Sequence, residues 1–212
     1  MTTYALQGPT KGADRAVLLA HGAGTDLTAP ALTVVADALG DAGIPSLRFN
    51  YPYRDEGRGR PDRPPVLFES TRAAIAELAR RTNLPTERIV VGGRSMGGRY
   101  CSMVVSAEVD PVPVLGLVLL GYPLHAAGRP EKIRDEHFSR ITVPTLFVSG
   151  TRDSLASVDG LTASAATIAG AVSWCWLETA DHGFKPLKRS GRTLDDDLAT
   201  AAAATVAFVQ SC

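Results

Sequence analysis

The sequence predicts an α/β fold, a mostly parallel, doubly wound sheet of about six to seven strands with helices on both faces. Three observations carry this expectation. Short apolar runs alternate along the chain with segments of helical periodicity, the order expected when each strand is followed by a crossover helix. Three of the runs, Ala16–Ala20, residues 89–91 and residues 114–120, are apolar without interruption, as in strands buried on both faces. The 212 residues suit one domain, residues 1–212, around a single core, and no internal repeat or heptad pattern divides them.

The elements follow in order. Residues 4–6 read as a short edge strand and Ala16–Ala20 as a central one. Leu32, Val35, Ala36 and Leu39 recur at helical spacing until Gly40 and Gly43 end that helix. Ser46–Phe49 returns as a strand, and Leu67, Ala74, Ile75 and Leu78 mark the next helix, which stops before Pro85. The strand at residues 89–91 leads into an apolar helical stretch reaching Val105. Strands follow at residues 114–120 and 145–148, a partly helical segment at 155–169, and a strand at Val172–Leu177. Thr193 caps a last helix whose first turn places Asp195, Asp196 and Asp197 at the positive end of its dipole. Residues 122–144 fall between two strands and are too short for a large helical cap. A loop or one helix around residues 131–140 is expected there, leaving little or no cap over the C-terminal edge of the sheet.

The composition is 45% hydrophobic and 21% charged, with 22 Lys and Arg balanced by 22 Asp and Glu. A zero net charge gives no global attraction to nucleic acid or to an anionic membrane, so neither is expected as a partner. No apolar run approaches bilayer length, and residues 1–14 lack a charged and then hydrophobic leader, so a cytoplasmic protein is expected. Cys101, Cys175 and Cys212 have no metal or redox spacing. Cys101 is expected to face the core, Cys175 to lie in a strand, and no metal or organic cofactor is expected. No pattern favours a monomer over a homodimer.

The segment Gly93-Arg94-Ser95-Met96-Gly97 joins the strand at residues 89–91 to the helical stretch after it. A G-x-S-x-G segment in that context is a sharp turn that projects its serine outward, and the small flanking residues avoid collision. A hydroxyl becomes a useful nucleophile only beside a base, and the base needs a carboxylate to fix its tautomer. Of four histidines, His182 follows the strand Val172–Leu177, and Asp153 follows the strand at 145–148 after a turn. The chain order Ser95, Asp153, His182 places each at the C-terminal end of a strand. Asp181, next to His182, is the rival acid, but adjacent side chains usually diverge, so it is expected to shape the loop. His21-Gly22-Ala23-Gly24 follows the first central strand and presents small residues with open amides. The amides of Ala23 and Met96 are the candidate oxyanion donors, with Gly22 and Gly24 as alternates, and His21 is expected to hold the loop.

Around this core the substrate side is less defined. Gly22, Gly24, Tyr122, His125 and Lys185 are candidate substrate-binding residues. His125 is weighed against a hydrogen-bonded loop histidine, and His137 is expected to be solvent exposed. Residues 54–63 read either as a solvated loop or, from their place after a strand, as a rim of the site. Residues 185–192 hold four basic side chains, read either as a surface loop or as a recognition site for a substrate carboxylate or phosphate.

These motifs together resemble the α/β-hydrolase superfamily. Those at residues 21–24, 92–99, 121–125, 150–153 and 185–192 are similar to a group of small predicted hydrolases distantly related to dienelactone hydrolases. That group includes the hydrolase-like domain of the third subunit of the nuclear NSL acetyltransferase complex and a testis-expressed relative. Ser154 and Gly183 stand where bacterial members carry proline and an acidic residue. Dienelactone hydrolases use cysteine where this chain has Ser95, so their activity does not transfer directly. The resemblance implies the α/β-hydrolase fold. Together with the residues above it implies a serine hydrolase acting on a small-molecule acyl ester or thioester through an acyl-enzyme. The alternatives are a weakly active or silent interaction module on the same fold, and an acyltransferase using the same three residues.

Overall fold

A computed structural model describes residues 2–212. Seven strands form one sheet: β1 (Tyr4–Gln7), β2 (Ala16–Ala20), β3 (Ser46–Phe49), β4 (Ile89–Arg94), β5 (Gly116–Leu120), β6 (Thr145–Gly150) and β7 (Val172–Leu177). Their order across the sheet is β1-β3-β2-β4-β5-β6-β7. β1 runs antiparallel to β3, with Leu6 opposite Leu47, and every other pair is parallel. β2 and β5 are buried along their whole length, which accounts for their unbroken apolar character, and β6 is buried as completely although it carries Thr145 and Ser149.

The helices are α1 (Pro30–Asp41), the single turn α2 (Pro52–Asp55), α3 (Pro64–Thr82), α4 (Met96–Val105), α5 (Val158–Ala165) and α6 (Leu194–Ser211). Because strand side chains alternate, Val17 and Leu19 of β2 pack with α1 and α6, while Ala16, Leu18 and Ala20 face the core shared with α3, α4 and α5. α1 begins on Pro30, passes through Gly40 and ends at Asp41, two residues before the left-handed Gly43. There Ile44 N–H donates to Leu39 O and Gly43 N–H to Gly40 O, the Schellman arrangement that satisfies the last carbonyls. α6 starts in a capping box: the Thr193 hydroxyl accepts from Asp196 N–H, and the Asp196 carboxylate accepts from Thr193 N–H. Asp195, Asp196 and Asp197 all lie in its first turn. The enclosed carboxylate of Asp197 meets Arg192.

The connection after β5 contains no α-helix around residues 131–140, only a 3-10 turn at Phe138–Arg140. Its chain is held in by packing: Phe138 is fully buried, with ring centroids 5.1 Å from Tyr122 and 6.0 Å from Phe147. Arg134 N–H also donates to Leu124 O at 2.8 Å. Beyond Phe147 the aromatic stack continues through Trp174 and Trp176 of the edge strand β7, at 4.9 and 4.8 Å. Cys101 is buried and Cys175 lies in β7. Among the described residues no helix is long and apolar enough to cross a membrane.

His137 corrects an expectation. It is 6% exposed, and its Nε2 lies 2.8 Å from the Ser102 hydroxyl on α4, because Phe138 carries it into the core. Burial, then the charges of Arg99 and Arg140, pulls its pKa down to about 4. The unfolded chain therefore takes up a proton near pH 6.5 that the folded chain refuses until about pH 4. The stability tied to neutral His137 is complete above pH 6.5 and is lost as the pH falls toward 4. At about 1.4 kcal/mol per unit, the effect is at most roughly 3 kcal/mol. Urea unfolding between pH 7 and 5 should show this slope in the wild type and a shallower one in His137→Gln; equal slopes would refute the assignment.

Candidate active site

The C-terminal ends of the parallel strands converge on one edge of the sheet, where ligands bind in open α/β folds. β4 ends at Arg94 and α4 begins at Met96, so Ser95 makes the whole turn. It does so at φ 50° and ψ −113°, a sparsely populated conformation for a residue with a side chain. Its amide donates to Leu120 O at 2.9 Å, and its carbonyl accepts the first helical hydrogen bond from Arg99 N–H. The small residues on either side have a specific cause. A Cβ on Gly93 or on Gly97 would land on the carbonyl of Ala20, so the turn presses against the end of β2.

His182 Nε2 stands 3.0 Å from Ser95 Oγ, and His182 Nδ1 stands 2.7 Å from Asp153 Oδ2. Asp153 follows β6 through a turn in which its own amide donates to Gly150 O. Its carboxylate is fully enclosed, and the second oxygen accepts from Leu155 N–H at 2.8 Å. With Nδ1–H donating to that carboxylate, the Nε2 lone pair faces the serine hydroxyl. Asp181 is turned into its own loop, where Oδ1 accepts from Gly183 N–H at 2.8 Å and Lys185 N–H at 3.0 Å.

Arg94, read in the sequence only as a spacer in the motif, braces this arrangement. Its guanidinium donates to Leu120 O at 3.1 Å and sits 4.6 Å from the ring centre of Phe184, two residues past His182. Phe184 itself is buried at φ 66°. Burial pulls the Arg94 pKa down to about 10, against the opposing pull of Asp153 and Asp181, so it remains a cation at neutral pH. No sequence signal marks this role, because it depends on which way the residue faces across β5.

The loop after β2 is fixed by His21, which is fully buried. Its Nδ1 lies 2.8 Å from Gly22 O and its Nε2 accepts from Tyr51 N–H at 3.1 Å, which defines the neutral tautomer. Burial pushes its pKa down, in keeping with that form. Ala23 is thereby left exposed at the crest of the loop. A cavity of about 380 Å³ opens beside Ser95, with Ala23 and Met96 in its wall. Met96 is the first residue of α4, and the first amides of a helix have no acceptor within it.

Among the remaining candidates, His125 lines this cavity while its Nδ1 lies 3.0 Å from Ala126 O. Gly22 and Gly24 flank Ala23 without lining the cavity. Tyr122 is a correction: it is 1% exposed, packs in the aromatic core and donates its hydroxyl to Arg134 O. Lys185 is exposed and lies outside the cavity wall. In the same basic stretch, Arg192 is committed to Asp197. Residues 54–63 do supply a rim, since Pro61 and Asp62 line the cavity. Arg99 and Arg134 also line it, and sequence reasoning assigned neither a role. Among the described residues no group of three His, Cys, Asp or Glu is placed to hold a metal ion.

Residues 13–210 match the profile of a family described as an alpha/beta hydrolase domain. The chain is similar to the structure of an alpha-beta serine hydrolase homologue from Coxiella burnetii, at 19% identity and TM-score 0.72, over 97% of this chain and 90% of that one. It is similar to dienelactone hydrolase from Anabaena variabilis at 19% identity and TM-score 0.73, over 99% of this chain and 91% of that one. A Xanthomonas campestris protein described as an a/b serine hydrolase without lid is 18% identical, with TM-score 0.68, over 99% of this chain and 88% of that one.

Proposed function

The chain belongs to the alpha/beta hydrolase domain family, and from that premise we propose that it is a serine hydrolase cleaving carboxylic esters or thioesters through an acyl-enzyme. One observation carries the reading. Ser95 Oγ, both nitrogens of His182 and the enclosed carboxylate of Asp153 form a continuous relay with separations of 3.0 and 2.7 Å.

Ser95 Oγ attacks the substrate carbonyl carbon as His182 Nε2 takes the hydroxyl proton. The carbonyl π pair moves onto oxygen, where the amides of Ala23 and Met96 receive the charge. Collapse of the tetrahedral species expels the alcohol or thiol, which leaves with the proton from Nε2, and Ser95 remains acylated. A water molecule then gives its proton to Nε2 and attacks the acyl carbon. Collapse returns the proton to Ser95 Oγ and releases the acid. Asp153 stays ionised throughout and stabilises the imidazolium that forms twice per cycle. The strained backbone at Ser95 holds Oγ toward the cavity, so little conformational freedom is lost when the substrate binds.

A fluorophosphonate probe tests the reading, since it labels only a serine whose hydroxyl is activated beside an oxyanion site. Labelling of the wild type that disappears in Ser95→Ala is the expected result, together with hydrolysis of short aryl esters. A wild-type protein that neither labels nor turns over any aryl ester or thioester would overturn it.

A further inference from the structure

Two arginines share the wall of the cavity with Ser95. Arg99 lies on α4 four residues past the serine, which places its Cα on the same face, about 6 Å further along the helix axis. Arg134 comes from the loop after β5, where its carbonyl is fixed by the Tyr122 hydroxyl and its amide by Leu124 O. Both side chains are half-buried. Among the described residues neither guanidinium has a carboxylate within 4.0 Å or donates a hydrogen bond; the buried Nε of Arg99 has no hydrogen-bond partner, and its guanidinium lies 5.7 Å from the ring centre of Tyr100.

The surroundings do not supply the missing charge. Asp62, the acid lining the same cavity, has one oxygen on Arg58 at 2.6 Å and the other on Tyr53 N–H at 2.9 Å. His137 behind Arg99 is held neutral by burial, and Glu136 acts on Arg134 only weakly from an exposed position. The arginines oppose one another. Desolvation first, and then the charge of Arg99, lowers the pKa of Arg134. Two like charges facing one cavity without a carboxylate between them disfavour the free cleft, and an oxyanion bound there would relieve that repulsion.

We propose that Arg99 and Arg134 form an anion subsite, and that the substrate is an ester or thioester bearing a second, unreactive carboxylate or phosphate a few atoms from the scissile carbonyl. This rests on the serine hydrolase reading and narrows its substrate class. It places at the cavity wall the anion recognition that was weighed against a plain surface loop for residues 185–192. A guanidinium binds such a group through two parallel N–H donors, so each arginine contributes roughly 10- to 100-fold to recognition.

Mono-4-nitrophenyl adipate and 4-nitrophenyl hexanoate share a six-carbon acyl chain and differ in the terminal carboxylate. The wild type should favour the anionic ester in kcat/KM, with a preference that shrinks as salt rises. That ratio should fall at least ten-fold in Arg99→Gln and in Arg134→Gln, mainly through KM. Arg99→Lys should recover part of the ratio, as it restores the charge without the fork. An unchanged ratio in both glutamine variants would overturn the subsite. If no ester is turned over, the hydrolase reading fails, and calorimetric titration of adipate and of hexyl phosphate into Ser95→Ala decides the subsite alone. Binding of either that is lost in Arg99→Gln and Arg134→Gln upholds it, and the tighter of the two identifies carboxylate or phosphate as the preferred group. Absence of binding by both, or binding indifferent to the arginines, overturns it.

Discussion

Ser95→Ala is expected to lower kcat by about 10⁶-fold, the loss measured for triad serines in another serine enzyme. The size follows from chemistry. Without Oγ no acyl-enzyme forms, and water must attack the substrate directly with only the cavity and the oxyanion amides to help. A residual acceleration of roughly 10³–10⁴ over the uncatalysed rate remains from those groups. Binding should change little, because the hydroxyl is a small part of a cavity of about 380 Å³. Burst and steady-state assays with an aryl ester read both quantities. A variant retaining turnover within ten-fold of wild type would show that another group is the nucleophile.

Asp153→Asn should lower kcat by about 10⁴-fold, as the equivalent change does in a serine protease with the same three groups. Here the surrounding hydrogen bonds dictate why. Leu155 N–H at 2.8 Å holds one oxygen of the residue, and an asparagine would keep its carbonyl oxygen at that position. Its NH₂ would then point at His182 Nδ1. Only an acceptor fits there, so the imidazole proton moves to Nε2 and faces Ser95 as a donor. Asp181 cannot replace the lost carboxylate while it serves Gly183 and Lys185. Steady-state kinetics on purified Asp153→Asn check the figure, and a loss below ten-fold would mean that Asp153 does not set the tautomer.

Most of the scaffold was legible because its causes are local. Unbroken apolar runs mark strands with two covered faces, and the approach of Gly93 and Gly97 to Ala20 admits only glycine. Chain order and strand ends were enough to bring Ser95, Asp153 and His182 into one region. What the sequence hid depends on direction. Tyr122 and His137 lie in a segment that reads as a polar loop, and Phe138 draws both into the core. Gly40, a helix breaker by composition, stays within α1 because the left-handed turn is taken at Gly43. Arg94 read only as a spacer in the motif, and Arg99 and Arg134 drew no reading. Their neighbours come from the end of β5, the loop after β5 and the loop after β7, and no pattern along a single segment reveals such company.

The stack of Phe147, Trp174 and Trp176 at the β7 edge has a practical consequence. The chain contains only two tryptophans, and both are in that stack, outside the wall of the cavity. Intrinsic emission excited at the indole band will therefore follow the melting of one border of the sheet and stay silent while the cleft fills. Titrations of small ligands call for calorimetry or a chromogenic leaving group instead.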